Sequence, residues 1–159
     1  MKTFQIDRET WLPCTIDEVF PFFADASNLS VLTPDWLQFQ VVSEIPVEMA
    51  VDTRIDYRIR LHGIPLKWTS RISHWEPPLF FVDEQVRGPY RLWIHEHRFE
   101  AADGGTRVWD HVRYGVWGGR VVNRLMVEPD LERIFQFRAD RLHQRFGSPS
   151  ERGAMHCHD

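Results

Sequence analysis

The chain is short of cysteine, of long apolar runs and of positive charge, and each shortage excludes something. Only Cys14 and Cys157 occur, near opposite ends of 159 residues. They have no framework spacing, so a disulfide-built scaffold is excluded, no structural disulfide is expected, and a reducing compartment fits. No run of about 18 apolar residues is present, which leaves no stretch for a transmembrane helix and no stable membrane insertion to expect. The opening Met1-Lys2-Thr3-Phe4-Gln5-Ile6-Asp7 lacks the apolar stretch of a secretory signal, so a cytoplasmic location is expected. Lys and Arg number 19 against 23 Asp and Glu, a formal charge of -4. Nucleic-acid binders concentrate excess basic residues on one face, so no nucleic-acid partner is expected. Repeats, low-complexity tracts and linkers are also missing. At this length one domain is the default, here residues 1–147 followed by a disordered tail over 148–159.

What the chain does have is aromatic bulk, with seven Trp and eleven Phe in an otherwise polar sequence. Such side chains fill a core or line a pocket. Phe4 to Leu12 reads as a first strand, stopped by Pro13, which has no N–H for a ladder. Thr15-Ile16-Asp17-Glu18 then forms a capping box, and Val19, Phe20, Phe22 and Phe23 supply the apolar face of a short helix. Asp25-Ala26-Ser27-Asn28 ends it and caps a second short turn that Pro34 closes.

From Leu37 to Tyr114 the period is two, with turn signals at His62-Gly63-Ile64-Pro65, Glu76-Pro77-Pro78, Arg87-Gly88-Pro89 and Asp103-Gly104-Gly105. This is the pattern of an antiparallel meander. Ile55, Tyr57, Ile59 and Leu61 form one face of a strand, Trp93, His95, His97 and Phe99 one face of another, and Val108, Asp110, Val112 and Tyr114 one face of the last. Each set is expected to point inward. After Gly118-Gly119 the period becomes helical, through Val121, Val122 and Leu125 and on through Leu131, Ile134, Phe135, Arg138, Leu142 and Phe146. Pro129 falls inside this stretch, which predicts a kink or a restart with Pro129 in the first turn.

Strand, two short helices, six strands and a long closing helix is the order of the START-like helix-grip fold. Glu18-Val19-Phe20, Leu32-Thr33-Pro34, the run Asp83 to Tyr90, Trp93-Ile94-His95-Glu96-His97-Arg98-Phe99 and the run Thr106 to Tyr114 resemble bacterial SRPBCC proteins. The resemblance covers about residues 1 to 147. It implies an α+β fold, a curved antiparallel sheet of about seven strands wrapped around a long C-terminal helix, with a ligand cavity between them. The superfamily includes polyketide cyclases, pollen-allergen-like proteins and lipid-transfer domains, so the fold leaves function open. No shared catalytic set is carried over.

If the alternation holds, Asp83 and Gln85, His95 and His97, and Asp110 and Tyr114 gather on the concave side. Buried carboxylates and imidazoles are costly alone, so this group must be mutually hydrogen-bonded, wetted or engaged by a ligand. One reading is a satisfied polar network in a pocket wall. A sharper reading makes His95 or His97 with Asp110 an acid/base pair acting on a bound carbonyl compound. Tyr57, Trp68, Phe81, Trp93, Phe99 and Tyr114 are the aromatic candidates for core or pocket lining. Trp36, Trp75 and Trp117 lie near turns, where they gate an opening or cover an edge.

His95 and His97 also share a strand face as metal ligands do, and Asp110 or Asp83 would be the third member. Because His-x-His recurs by chance and no Cys or third His joins it by spacing, no tightly bound metal is expected. The terminal His156-Cys157-His158 reads as solvated tail. Gly115-Val116-Trp117-Gly118-Gly119 lacks the Lys and Ser/Thr of a phosphate loop and reads as a strand-to-helix joint, and no nucleophile-elbow motif occurs. The expected partner is a small, largely hydrophobic molecule, bound for transport or sensing, with no organic cofactor and no oligomer predicted. The alternatives are a cofactor-independent cyclase, dehydratase or hydrolase-like enzyme using the same residues, and a regulatory module whose concave interior is filled.

Overall fold

The computed structural model describes residues 1–149. Its strands are β1 (Phe4–Leu12), β2 (Gln40–Val41), β3 (Arg54–Leu61), β4 (Ile64–Glu76), β5 (Phe80–Arg87), β6 (Leu92–Ala102) and β7 (Gly105–Gly115). They form one antiparallel sheet in the order β1-β7-β6-β5-β4-β3-β2. Sequential strands pair through hairpins, and β1 returns to lie beside β7, from Phe4 opposite Tyr114 to Leu12 opposite Thr106. Two of the turns need left-handed backbone. His62 and Gly63 have φ of 49° and 78°, and Asp103 and Gly104 have 52° and 80°. Two consecutive residues at positive φ match the twist of two-residue hairpins. Ile64 and Pro65, read from sequence as part of a turn, instead begin β4, where Pro65 lies opposite Arg60 and beyond the stretch that pairs with β5. A proline is tolerated there because no ladder bond to β5 is required of it.

The helices sit on one face of this sheet. In α1 (Ile16–Phe23) the Glu18 carboxylate accepts from the Thr15 N–H at 2.9 Å, the reciprocal arm of the capping box. A 3₁₀ turn at Ala26–Asn28, capped by Asp25, leads into α2 (Leu29–Leu32). The closing segment comprises α3 (Gly119–Val122), a π turn (Asn123–Val127) and α4 (Glu128–Phe146). Pro129 stands in the first turn of α4, directly after the π turn, and the chain stays helical from Gly119 to Phe146. In the π turn just before it the Glu128 N–H donates to the Asn123 carbonyl.

That π turn changes the helical phase, and one expectation falls with it. Val121 and Leu125, read as part of the inward stripe, are 68% and 70% exposed, while Asn123 is buried. The stripe of α4 proper is as expected: Leu131, Phe135, Arg138, Leu142 and Phe146 are all buried. Cys14 is also a correction. It is disulfide-bonded, with its partner outside the described residues. Its Sγ lies 3.2 Å from the carbonyl of Phe146, so the end of α4 comes back to the start of the chain, a proximity that spacing along the sequence could not reveal. The expected tail, from residue 150 on, and the His156-Cys157-His158 cluster lie outside the described residues. No helix of the described residues is long and apolar enough to cross a membrane.

Two packed clusters bracket the concave face. One joins Leu12, Val19, Phe20, Phe99, Val108, Leu142 and Phe146 beneath α1 and the end of α4. The other joins Ile6, Val112, Tyr114, Leu131 and Phe135 beneath the start of α4. A smaller group around Ile55 and Tyr57 backs the β2–β3 edge.

Candidate functional site

Between these clusters the sheet and α4 leave a cavity of about 200 Å³. Its aromatic wall comes from Tyr57 on β3, Trp68 on β4, Phe81 on β5, Trp93 on β6 and Tyr90 in the turn before it. Trp68, Tyr90 and Trp93 are mutually tilted, with ring centroids 4.8 to 5.6 Å apart. Leu131, Phe135 and Arg138 of α4 form the facing side.

Asp83, His95 and His97 line the same cavity. Residues two apart on a strand share a face, which puts both imidazoles of β6 inward. Neighbouring strands then supply a carboxylate on each side: Asp83 of β5 lies directly opposite His95, and Asp110 of β7 directly opposite His97. The hydrogen bonds run on the diagonals instead. His95 Nε2 is 2.7 Å from Asp110 Oδ1, and His97 Nε2 is 2.6 Å from Asp83 Oδ2. The direct neighbours are farther apart, with His95 Nδ1 3.9 Å from Asp83 Oδ2 and His97 Nδ1 3.6 Å from Asp110 Oδ1. The two imidazoles stack at 3.7 Å, and Phe81 stacks on the far side of His97 at 4.1 Å. Arg138 closes the group from α4, its Nη2 3.3 Å from Asp110 Oδ1.

Burial dominates the electrostatics, and the partners decide its sign. Burial pushes the Asp110 carboxyl up, but the Arg138 guanidinium, the hydrogen bond from His95 and the charges of both histidines outweigh it and hold Asp110 well below the carboxylate range. Burial likewise raises Asp83, and the hydrogen bond from His97 with the charges of His95, His97 and Arg138 brings it below its ordinary value. His97 is pulled down to about 4 by burial and by its neighbour His95, against the opposing pull of Asp83 and Asp110. It is therefore neutral at pH 7. Burial also raises the Tyr57 and Tyr90 phenols, keeping both as neutral donors.

Four residues read from sequence as site members do not line the cavity. Gln85 turns along its own strand end, where its amide donates to the Tyr90 carbonyl at 2.8 Å and its oxygen accepts from the Tyr90 N–H at 3.1 Å. It clamps the β5–β6 turn. Phe99 is inside the phenylalanine cluster, against Phe20 and Phe23. Tyr114 packs on Phe4 and Trp93 below the start of α4. Asp110 faces inward but stands behind the histidines. Of the three tryptophans near turns, Trp75 packs on Phe20 and Phe81, while Trp36 and Trp117 lie under Arg133 and Arg91; none lines the cavity.

Arg138 is the residue that sequence reasoning placed on the inward helix face without assigning it to the site. A charge within an apolar stripe was the available signal, because a buried guanidinium needs a carboxylate in reach. Ser70 was missed as well: it is buried on β4, lines the cavity and accepts from the Trp68 indole N–H at 3.0 Å.

The sequence profile of a family described as polyketide cyclase / dehydrase and lipid transport matches residues 12–142. The chain belongs to this family. No curated protein matches the sequence. Among solved structures, the chain is similar to the Zhui aromatase/cyclase from Streptomyces sp. R1128, with a TM-score of 0.69 at 15% identity over 89% of this chain and 92% of that one. Protein CV1439 from Chromobacterium violaceum gives a TM-score of 0.68 at 15% identity over 92% and 99%. Ara h 8.0201 gives 0.65 at 14% identity over 90% and 97%. At such identities the likeness shows the helix-grip fold and nothing finer.

Proposed function

We propose that the protein binds a compact, largely apolar molecule with one polar end, held in the cavity between the sheet and α4. The observation that carries this reading is the cavity itself, about 200 Å³ with an aromatic wall and the polar cluster of Asp83, His95, His97 and Arg138. Aromatic walls desolvate the body of a ligand, and a few convergent polar groups fix its orientation. The volume lies below the roughly 300–1,000 Å³ of drug-sized sites, which favours a small ring system over a long chain. Transport or sensing is the corresponding role, and a family description that names lipid transport beside cyclases supports it.

Native mass spectrometry of gently purified protein tests for a retained small molecule. Displacement of an apolar fluorophore supplies the second arm. Ile59→Trp projects an indole into the cavity and should abolish fluorophore uptake, whereas Ile94→Trp, on the other face of β6, should leave it unchanged. Equal uptake by both variants would overturn the reading.

The neutral His97 paired with Asp83 at 2.6 Å favours one further reading, a cofactor-independent cyclase, dehydratase or hydrolase-like enzyme in which this imidazole moves a proton. Turnover that falls by about a hundredfold in His97→Gln, with fluorophore uptake retained, would support catalysis over carriage.

A further inference from the structure

One nitrogen of each imidazole is engaged in the polar cluster: His95 Nε2–H donates to Asp110 and His97 Nε2–H donates to Asp83. The second nitrogen of each ring makes no such short contact. His95 Nδ1 faces Asp83 Oδ2 at 3.9 Å, and His97 Nδ1, buried and with no hydrogen-bond partner among the described residues, faces Asp110 Oδ1 at 3.6 Å. A buried polar atom left without a partner is costly, and a ligand that engaged these nitrogens would remove that cost.

We infer that Asp83, His95 and His97 form a binding site for a divalent transition-metal ion at the polar end of the cavity. One ligand atom from each of the three lies within 4.8 Å of the others. Bonds of about 2.0–2.2 Å to N and O donors bring neighbouring ligand atoms to roughly 3–4 Å, so the Asp83–His97 contact opens and the Asp83–His95 contact is already in range. Two imidazoles and one carboxylate select the zinc, cobalt and iron(II) class over magnesium or calcium, which prefer oxygen shells.

Binding requires a change of tautomer at His97. The N–H of His97 moves from Nε2 to Nδ1, where Asp110 accepts it, and the freed Nε2 takes the metal. His95 already donates its N–H to Asp110 and presents Nδ1. Asp110 then holds both rings by their far nitrogens, the usual outer partner of a metal-bound imidazole, and Arg138 holds Asp110. All three ligands line the cavity, so the remaining coordination positions open onto it. The site stands independently of what else the cavity binds.

Cobalt(II) titration of chelator-treated protein tests this, carried out on the full chain with His156→Ala and His158→Ala so that the terminal residues contribute nothing. One equivalent should give a visible d–d absorption band, and zinc should displace it. Asp83→Asn and His97→Gln should each weaken binding by more than tenfold, and Asp110→Asn by about ten- to a hundredfold as an outer partner. The unsubstituted ligand set gives a readout that no folding defect disturbs: diamagnetic zinc should shift the ring resonances of His95 and His97 and leave those of half-buried His111, on the other face of β7, in place. Absence of the band, unshifted His95 and His97 resonances, or stoichiometric binding that survives both Asp83→Asn and His97→Gln would overturn the inference.

Discussion

The two ends of the concave face use aromatic residues in opposite ways. Beneath α1, phenylalanines interlock edge to face: Phe20 on Phe99 at 5.1 Å, Phe23 on Phe99 at 5.0 Å, Phe22 on Phe146 at 5.4 Å. Toward the β5–β6 turn, Trp68, Tyr90 and Trp93 are only half-buried and border the void. Purely apolar rings complete the solid end. Phe22, Phe23, Phe81 and Phe135 also border the hollow one, joined there by rings with a polar atom, of which Trp68 bonds Ser70. Composition alone reports one aromatic total, and the fold divides it into a core and a lining.

The sharpest way to test that division is Phe99→Ala. Phe99 is buried against Phe20, Phe23 and Phe81, so its removal should cost about 3–5 kcal/mol in urea unfolding, with fluorophore affinity unchanged in the folded fraction. A loss under about 1 kcal/mol would mean that the solid end is not solid.

The polar belt between the two ends should make stability depend on pH. In chelator-treated protein His97 titrates near 4, below the ordinary 6.5, so between these values the unfolded chain binds more protons than the folded one. Its contribution is therefore complete above pH 6.5 and lost as pH falls toward 4, a change of about 3 kcal/mol readable from denaturation midpoints across that window. The depressed Asp83 and Asp110 carboxyls act in the same direction at lower pH. Flat stability from pH 7 to 4 would remove His97 from a buried, neutral position.

Asp110→Asn keeps the shape and leaves Arg138 without its counter-charge. The expected cost is about 1–3 kcal/mol by thermal or urea unfolding, with apolar fluorophores still admitted. An unchanged midpoint would show that the belt carries no strain-free charge balance of its own. Trp93→Ala should have the smallest effect on stability, about 1 kcal/mol, because one side of the indole already borders empty space. Fluorophore affinity should fall by about tenfold. If Trp93→Ala destabilises as much as Phe99→Ala, the hollow end is packed and the contrast disappears.

Strand faces were legible because period-two alternation is a local property: Tyr57, Trp93, His95, His97, Asp110 and Tyr114 all face inward as read. Which of these border the cavity was not legible. Phe99 and His97 sit two apart on one strand, and only the position of α1 over Phe99 separates core from wall. The crossed bonding of Asp83 and Asp110 depends on how two hairpins align across β6, and the irregular β4–β5 pairing near Ser70 and Ile72 shows how little of such alignment a pattern can specify. Val121 and Leu125 misled for a related reason, since a π turn shifts helical phase without any mark in apolar spacing.

The diagonal histidine–aspartate bonds also bear on how the sheet opens. Each one ties β6 to a neighbour through side chains, in addition to the ladder itself, so β5, β6 and β7 can separate only by breaking both kinds of link. At the other margin β2 contributes two residues, Gln40 and Val41, against Arg58 and Tyr57. Amide hydrogen exchange should accordingly be fast at that rim and slow across the three bonded strands. The cavity then has one side that breathes and one that does not, so traffic of a ligand through the β2–β3 margin leaves the histidines in place.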